Sequence, residues 1–169
     1  MESQLYWIER TFPGRIAIVP RPRGGDWLQR DLQLMRKEGI DGLVSMLTNE
    51  EAADFDLLHE EEESRQIGIE YESCPTPDRS IPPEPASFAR LAHKLAAKLE
   101  LGQSIGIHCR QGIGRSSLMA AAVLTSLGMK PGEALRAVSK ARGIKVPETV
   151  EQARWFEDYA RTHHAVGAK

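Results

Sequence analysis

The chain has 169 residues and a formal charge of −2 at pH 7, which suits one domain with its own core and gives no general electrostatic pull on nucleic acid or acidic membranes. An apolar fraction of 41% and a charged fraction of 27% exclude wholesale disorder. Two cysteines, Cys74 and Cys109, exclude a disulfide framework and a cysteine-rich zinc site.

Residues 1–12 carry Glu2 and Glu9 and no long apolar run, so they read as neither a signal peptide nor a membrane span. A cytoplasmic, reducing setting is the expectation, and there a lone thiol stays usable. Strands are predicted over residues 6–8 and 15–19, the second bounded by Gly14 and Pro20. A helix over 26–37 carries Leu28, Leu32 and Met35 on one face, and a strand over 43–47 follows Gly42. A helix over about 50–65 has Phe55, Leu57 and Leu58 as its apolar side, with Glu60, Glu61, Glu62 and Glu63 as a solvated face. The alternating run 69–74 stops at Pro75 as a strand. Phe88, Leu91, Leu95 and Leu99 mark a helix over 85–101, and 104–108 is a strand after Gly102.

The last third is helical. Residues 116–127 are almost wholly apolar, which predicts a central buried helix. A helix over 131–142 opens with Pro131 and stops at Gly143. A last one, over 149–162, is anchored by Trp155, Phe156 and Tyr159. Strands alternating with helices predict an α/β fold: a single domain over 1–169 with its core over about 14–160, a mainly parallel twisted central sheet flanked by helices, and a frayed tail over 163–169.

One segment carries chemistry: His108-Cys109-Arg110-Gln111-Gly112-Ile113-Gly114-Arg115-Ser116. A strand enters it and a helix leaves it, so backbone N–H groups and a helix N-terminus converge on an anion. Gly112 and Gly114 let the loop close without Cβ clashes. It is neither the nucleotide-triphosphate loop, for want of Gly-Lys-Ser/Thr, nor a Gly-x-Ser-x-Gly nucleophile elbow. N–H donors and Arg115 around Cys109 favour its thiolate, a nucleophile for phosphorus or carbonyl carbon. The planar fork of Arg115 matches two phosphoryl oxygens and points to phosphorus.

Cys, five residues, Arg, flanked by His, two Gly and Ser, resembles the signature of the protein-tyrosine-phosphatase superfamily. The chain looks like a small atypical dual-specificity phosphatase, with some similarity to the Cdc14-like branch, over roughly residues 14–159. The resemblance implies a cysteine-phosphatase-like single domain and a metal-independent hydrolase with no cofactor, acting through a phosphocysteine. Cys109 would be the nucleophile. Arg115 and the loop residues Arg110, Gln111, Gly112, Ile113 and Gly114 would hold the phosphoryl group. It also implies an acid on a loop about thirty residues upstream. Asp78, in the proline-rich stretch 74–83, is the only Asp there; its other reading is a turn or capping residue. Ser116 matches the hydroxyl that stabilises the departing thiolate, and equally a helix N-cap. His108 would orient the loop.

Residues 140–152 are similar to a stretch ending in a glutamine, by which Gln152 would position the hydrolytic water; the other reading is an ordinary first-turn helix residue. Arg142 and Lys145 are candidates for the pocket mouth, and Arg79, Arg21 and Arg23 for acidic substrate flanks, all against a reading as solvated charge. Cys74 reads as a core cysteine, with a redox partnership to Cys109 as the alternative. The expected substrate is a phosphorylated protein bearing phosphotyrosine, phosphoserine or phosphothreonine, or a small phosphomonoester, with no nucleic acid partner and a monomeric chain. The absence of lysines in the loop weakens an inositol-phosphate or phosphoinositide reading, which remains the alternative. A non-catalytic phospho-binding module is disfavoured because Cys, Arg and Asp are all present.

Overall fold

The computed structural model describes residues 4–9 and 12–163. Five strands, β1 (Tyr6–Trp7), β2 (Arg15–Ile18), β3 (Gly42–Ser45), β4 (Glu70–Ser73) and β5 (Ser104–His108), form one sheet in the order β1-β2-β5-β3-β4. Only β1 runs antiparallel, pairing Tyr6 with Ile18; the register then sets Ile16 beside Ile105 and Val44 beside Ile107. The parallel strands β2, β5, β3 and β4 therefore all end on the same edge. In such sheets ligands bind at the carboxyl ends of the strands.

Helices cover both faces. One face packs α1 (Leu28–Lys37) and the neighbouring segments through Leu28, Leu32, Met35, Ile40 and Leu57 against Ala17, Val19 and Leu43. The other takes α4 (Pro85–Glu100), α5 (Arg115–Ser126), α6 (Pro131–Arg142) and α7 (Val150–Thr162). Helix α5 is buried from Arg115 to Thr125. The run Ala120, Ala121, Ala122 keeps it thin enough for α4 and α6 to flank it. Phe88 of α4 meets Trp155 and Tyr159 of α7 edge-on at 5.1 and 5.3 Å, an arrangement the ring quadrupoles favour.

The helix expected over 50–65 is two helices, α2 (Asn49–Asp54) and α3 (Glu60–Gln66). Asp56 between them has φ +56, a left-handed conformation that ends a helix. The break also reverses the expected faces. Leu57 is buried, Leu58 is 67% exposed, and Glu60, expected in solvent, is 1% exposed. Two residues of the 26–37 helix, Asp26 and Trp27, belong instead to a 3₁₀ turn over Gly25–Trp27. The tail expected to fray lies, from 164 onward, outside the described residues. No described helix is long and apolar enough to cross a membrane.

Candidate active site

β5 delivers Cys109 to the sheet edge, and residues 109–114 curl over the N-terminus of α5 before Arg115 opens that helix. The Gly112 N–H donates to Cys109 Sγ at 3.3 Å, and Ser116 Oγ lies 2.8 Å from the same sulfur. Gly112 has φ +71, a conformation that resists a side chain. Arg142 braces the loop from outside, donating from Nε to the Gly112 carbonyl at 2.8 Å and from Nη2 to the Gln111 carbonyl at 3.3 Å. Cys109 is 3% exposed, so it is reached only through the cavity above it. That cavity, about 170 Å³, is lined by Asp78, Arg110, Gln111, Ile113, Gly114 and Arg115 among others.

Arg115 is buried, and both its terminal nitrogens are partnered. Its Nη1 donates to Glu51 Oε1 at 2.6 Å and to the Thr76 carbonyl at 2.7 Å; Nη2 donates to Glu51 Oε2 at 3.0 Å and Asp78 Oδ1 at 3.1 Å. Burial works against its charge, but the Glu51 carboxylate, Cys109 and Asp78 outweigh burial and hold the guanidinium above its ordinary range. Glu51 is the reciprocal case. Burial pushes its carboxyl up, and the bonds from Arg115 and the Thr48 N–H more than reverse that. Glu51 is aimed by a capping box: its N–H donates to Thr48 Oγ1 at 3.2 Å and its Oε1 accepts from the Thr48 N–H at 3.1 Å.

Asp78 reaches the cavity from the connection between β4 and α4. Its Oδ1 lies on Arg115 and its Oδ2 is 3.7 Å from Arg110 Nη1. The next residue, Arg79, has φ +57, a costly conformation for a side-chain-bearing residue. An ion pair to Glu148 at 2.5 Å holds it there. Behind Cys109, His108 Nε2 lies 2.5 Å from Glu60 Oε1, and the Tyr71 hydroxyl donates to Glu60 Oε2 at 3.1 Å. Burial and the Glu60 carboxylate push the Tyr71 phenol up.

Cys109, Arg115, Asp78, Ser116 and His108 thus lie together at one edge, with Arg110, Gln111, Gly112, Ile113 and Gly114 around them. Gln152 does not join them in the cavity. It is fully buried, its Oε1 accepts from the Glu148 and Thr149 N–H groups, and its Nε2 donates to the Ser80 carbonyl at 2.9 Å. It supports Gly114 from behind, where an added Cβ would meet Gln152 Nε2 at 2.8 Å. Gln152 is the third residue of α7, with both ends of its amide tied to backbone. Arg142 braces the loop rather than lining the mouth, and Lys145 is exposed and outside the cavity lining. Cys74 packs on the core, where burial pushes its thiol up to about 11. Glu51 and Glu60 are the functional candidates that sequence reasoning missed. The Thr48-Asn49-Glu50-Glu51 capping pattern was a signal for the first; nothing local marked the second.

Residues 19–129 match the family described as Tc-R-P, polymorphic toxin system, DSP-PTPase phosphatase. Cyclin-dependent kinase inhibitor 3 of Rattus norvegicus is 26% identical over 134 residues, 78% of this chain and 63% of that protein. Phosphatidylglycerophosphatase and protein-tyrosine phosphatase 1 of Homo sapiens is 31% identical over 111 residues, 65% of this chain and 54% of that protein. The chain thus spans less than two thirds of the length of these relatives. Among solved structures, kinase associated phosphatase with its catalytic cysteine replaced by serine superposes with a TM-score of 0.86 at 20% identity, covering 96% of each chain.

Proposed function

This chain belongs to the DSP-PTPase phosphatase family, and from that membership and the geometry around Cys109 we propose that it is a metal-independent phosphatase that hydrolyses phosphate monoesters on phosphotyrosine, phosphoserine and phosphothreonine of proteins. The observation that carries the reading is the placement of Cys109 Sγ on Ser116 Oγ at 2.8 Å, with the Arg115 fork and Asp78 on the same cavity.

In the first step the Cys109 thiolate attacks phosphorus. The S–P bond forms, the P–O ester bond breaks, and Asp78 gives its proton to the leaving oxygen. The loop N–H groups, the α5 N-terminus and Arg115 hold the three non-bridging oxygens as charge spreads over them. Asp78 Oδ1 rests on Arg115 Nη2, where a phosphoryl oxygen binds, so substrate entry parts the two and frees the carboxyl for the leaving group. In the second step Asp78 takes a proton from water, the water oxygen bonds to phosphorus, and the S–P bond breaks. The Ser116 hydroxyl donates to the sulfur as negative charge returns to it. Glu51 fixes the Arg115 fork, and Glu60 with His108 fixes the strand end that carries the nucleophile. No step calls on a cofactor.

Hydrolysis of para-nitrophenyl phosphate between pH 5 and 8, with chelator present, tests this in wild type and Cys109→Ser. The expected result is turnover in wild type and none in Cys109→Ser. Turnover persisting in the mutant, or loss of wild-type turnover in chelator, would overturn the reading.

A further inference from the structure

One side chain outside the cavity lining grips two consecutive carbonyls of the loop after β5. Arg142 donates from Nε to the Gly112 carbonyl at 2.8 Å and from Nη2 to the Gln111 carbonyl at 3.3 Å. These two nitrogens share one edge of the guanidinium plane, a fork that a lysine lacks. Arg142 is the last residue of α6, and Gly143 at φ +78 ends the helix there. Its guanidinium carbon lies over the Tyr6 ring at 4.3 Å. Tyr6 is fixed in β1 by pairing with Ile18 of β2, the strand beside β5. A Cβ added to Gly112 would meet Ile18 Cγ2 at 3.0 Å and Arg142 Nε at 3.6 Å, so the loop is clasped between the sheet and this arginine.

Peptide geometry carries the grip through to the cavity. Both peptide units are trans, so in each the carbonyl and the N–H that follows it point in opposite directions. The unit with the Gln111 carbonyl bears the Gly112 N–H, and that N–H donates to Cys109 Sγ at 3.3 Å. The unit with the Gly112 carbonyl bears the Ile113 N–H. With its carbonyl on Arg142, this N–H faces away from the arginine, on the side where Gln111, Ile113 and Gly114 line the cavity. Among the described residues it has no hydrogen-bond acceptor, so it is free for an anion.

We propose that Arg142 is a positioning residue of the Cys109 site: through these two peptide units it aims the Gly112 N–H at the sulfur and the Ile113 N–H at the bound phosphoryl group, with Tyr6 as its platform. The proposal rests on the reading of the Cys109 cavity as a phosphoryl site. The charge matters as well as the bonds. A cation on a carbonyl oxygen polarises the peptide unit and strengthens its N–H as a donor, and bonds to an ionised acceptor gain most from that. Ser116 Oγ and the Arg115 charge also act on the sulfur. Arg115 is anchored separately, by Glu51 and the Thr76 carbonyl, so a change at Arg142 leaves it in place. The antiparallel strand β1, remote from the cavity lining, thereby gains a part in the site.

The test follows alkylation of Cys109 by iodoacetamide from pH 5 to 9, and the protection given by inorganic phosphate. Cys74, whose thiol is pushed up to about 11, is the slow internal reference. In Arg142→Gln the midpoint of the Cys109 profile is expected to rise by about half a pH unit or more, equivalent to about threefold less thiolate on its acid side. The phosphate concentration that halves the rate is expected to rise by about threefold or more, because charge-assisted bonds are lost. Arg142→Lys keeps the charge without the fork and is expected to fall between. Tyr6→Leu removes only the platform and is expected to shift both readouts the same way, by less. Wild-type values of both in folded Arg142→Gln overturn the proposal. So does a rise in Cys74 reactivity that tracks the loss at Cys109, which would mark general loosening, and so does a wild type that phosphate does not protect. If Arg142→Gln fails to fold, Arg142→Lys and Tyr6→Leu decide, and two unchanged profiles overturn it. Wild-type turnover of para-nitrophenyl phosphate is measured in parallel. Its absence would sink the catalytic reading alone, since neither alkylation nor phosphate protection needs turnover.

Discussion

The loop after β5 and the connection after β4 meet over one cavity, yet they are held in opposite ways. The first is nearly self-contained: Gly112 and Ser116 bond to Cys109, and α5 grows directly from its end. The second depends on bonds from elsewhere. Arg115 takes the Thr76 carbonyl, Gln152 takes the Ser80 carbonyl, and Glu148 pairs with Arg79. The proposed nucleophile and anion cradle are thus built as one unit, whereas the proposed acid is positioned by residues far away in the chain. Damage to the first should remove chemistry outright; damage to the second should be graded by how much a substrate needs the proton.

Asp78→Asn breaks the comparison hardest. Phosphoserine-type esters have leaving groups that require a proton, and their kcat should fall by about 10²–10⁴, the usual contribution of general acid catalysis. Para-nitrophenyl phosphate, with a leaving group that departs unprotonated, should lose far less. Equal losses across a leaving-group series would mean that the acid is another residue.

Glu51→Gln acts on both regions, because Glu51 anchors Arg115 and Arg115 anchors Thr76. Removing one partner of a buried ion pair leaves the other uncompensated. Glu51 is 14% exposed and Arg115 keeps its bonds to Thr76 and Asp78, so the expected cost is about 2–3 kcal/mol, below the 3–5 of a pair left wholly bare. The pH sign follows from the lowered carboxyl of Glu51 in the folded chain. Its contribution is complete above its ordinary value of 4.5 and is lost as pH falls below that toward the folded value. Thermal unfolding of wild type should thus weaken through that acid window, and Glu51→Gln should flatten the slope there. An unchanged slope would show that the pair does not titrate with folding.

The same contrast decides what was legible in the sequence. The α/β order, the mainly parallel sheet and the buried α5 followed from local periodicity, because each strand and helix announces its own apolar face. Residues 104–108 and 131–142 match to the residue. The loop from Cys109 to Gly114, between β5 and α5, was legible as a strand–loop–helix turn for the same reason, since its residues are consecutive. Legibility failed where tertiary contact decides. Glu60 looked like one of four solvated glutamates, but the Asp56 break rotates it under β5 to His108. Glu51 reads as a helix-start residue until Arg115, 64 positions away, reaches it. Leu58 looked apolar enough to bury, and the same break turns it outward.

Gln152→Ala makes the finest cut between the two regions, because Gln152 touches both: it backs Gly114 of the nucleophile loop and ties Ser80 of the acid connection. Losing its half of the α7 capping box and the Ser80 bond should cost about 1–2 kcal/mol, seen as a lower unfolding midpoint. Kinetics then separate two roles. A glutamine that positions the hydrolytic water would, once removed, let phosphocysteine accumulate, and para-nitrophenyl phosphate would show a burst followed by slow turnover. A glutamine that ties down the acid connection would, once removed, slow formation of the phosphocysteine on poor leaving groups, with no burst. The buried amide, with both its ends bonded to backbone, predicts the second pattern. A stoichiometric burst in Gln152→Ala would place the side chain at the water after all, by a movement of α7 that opens its cap.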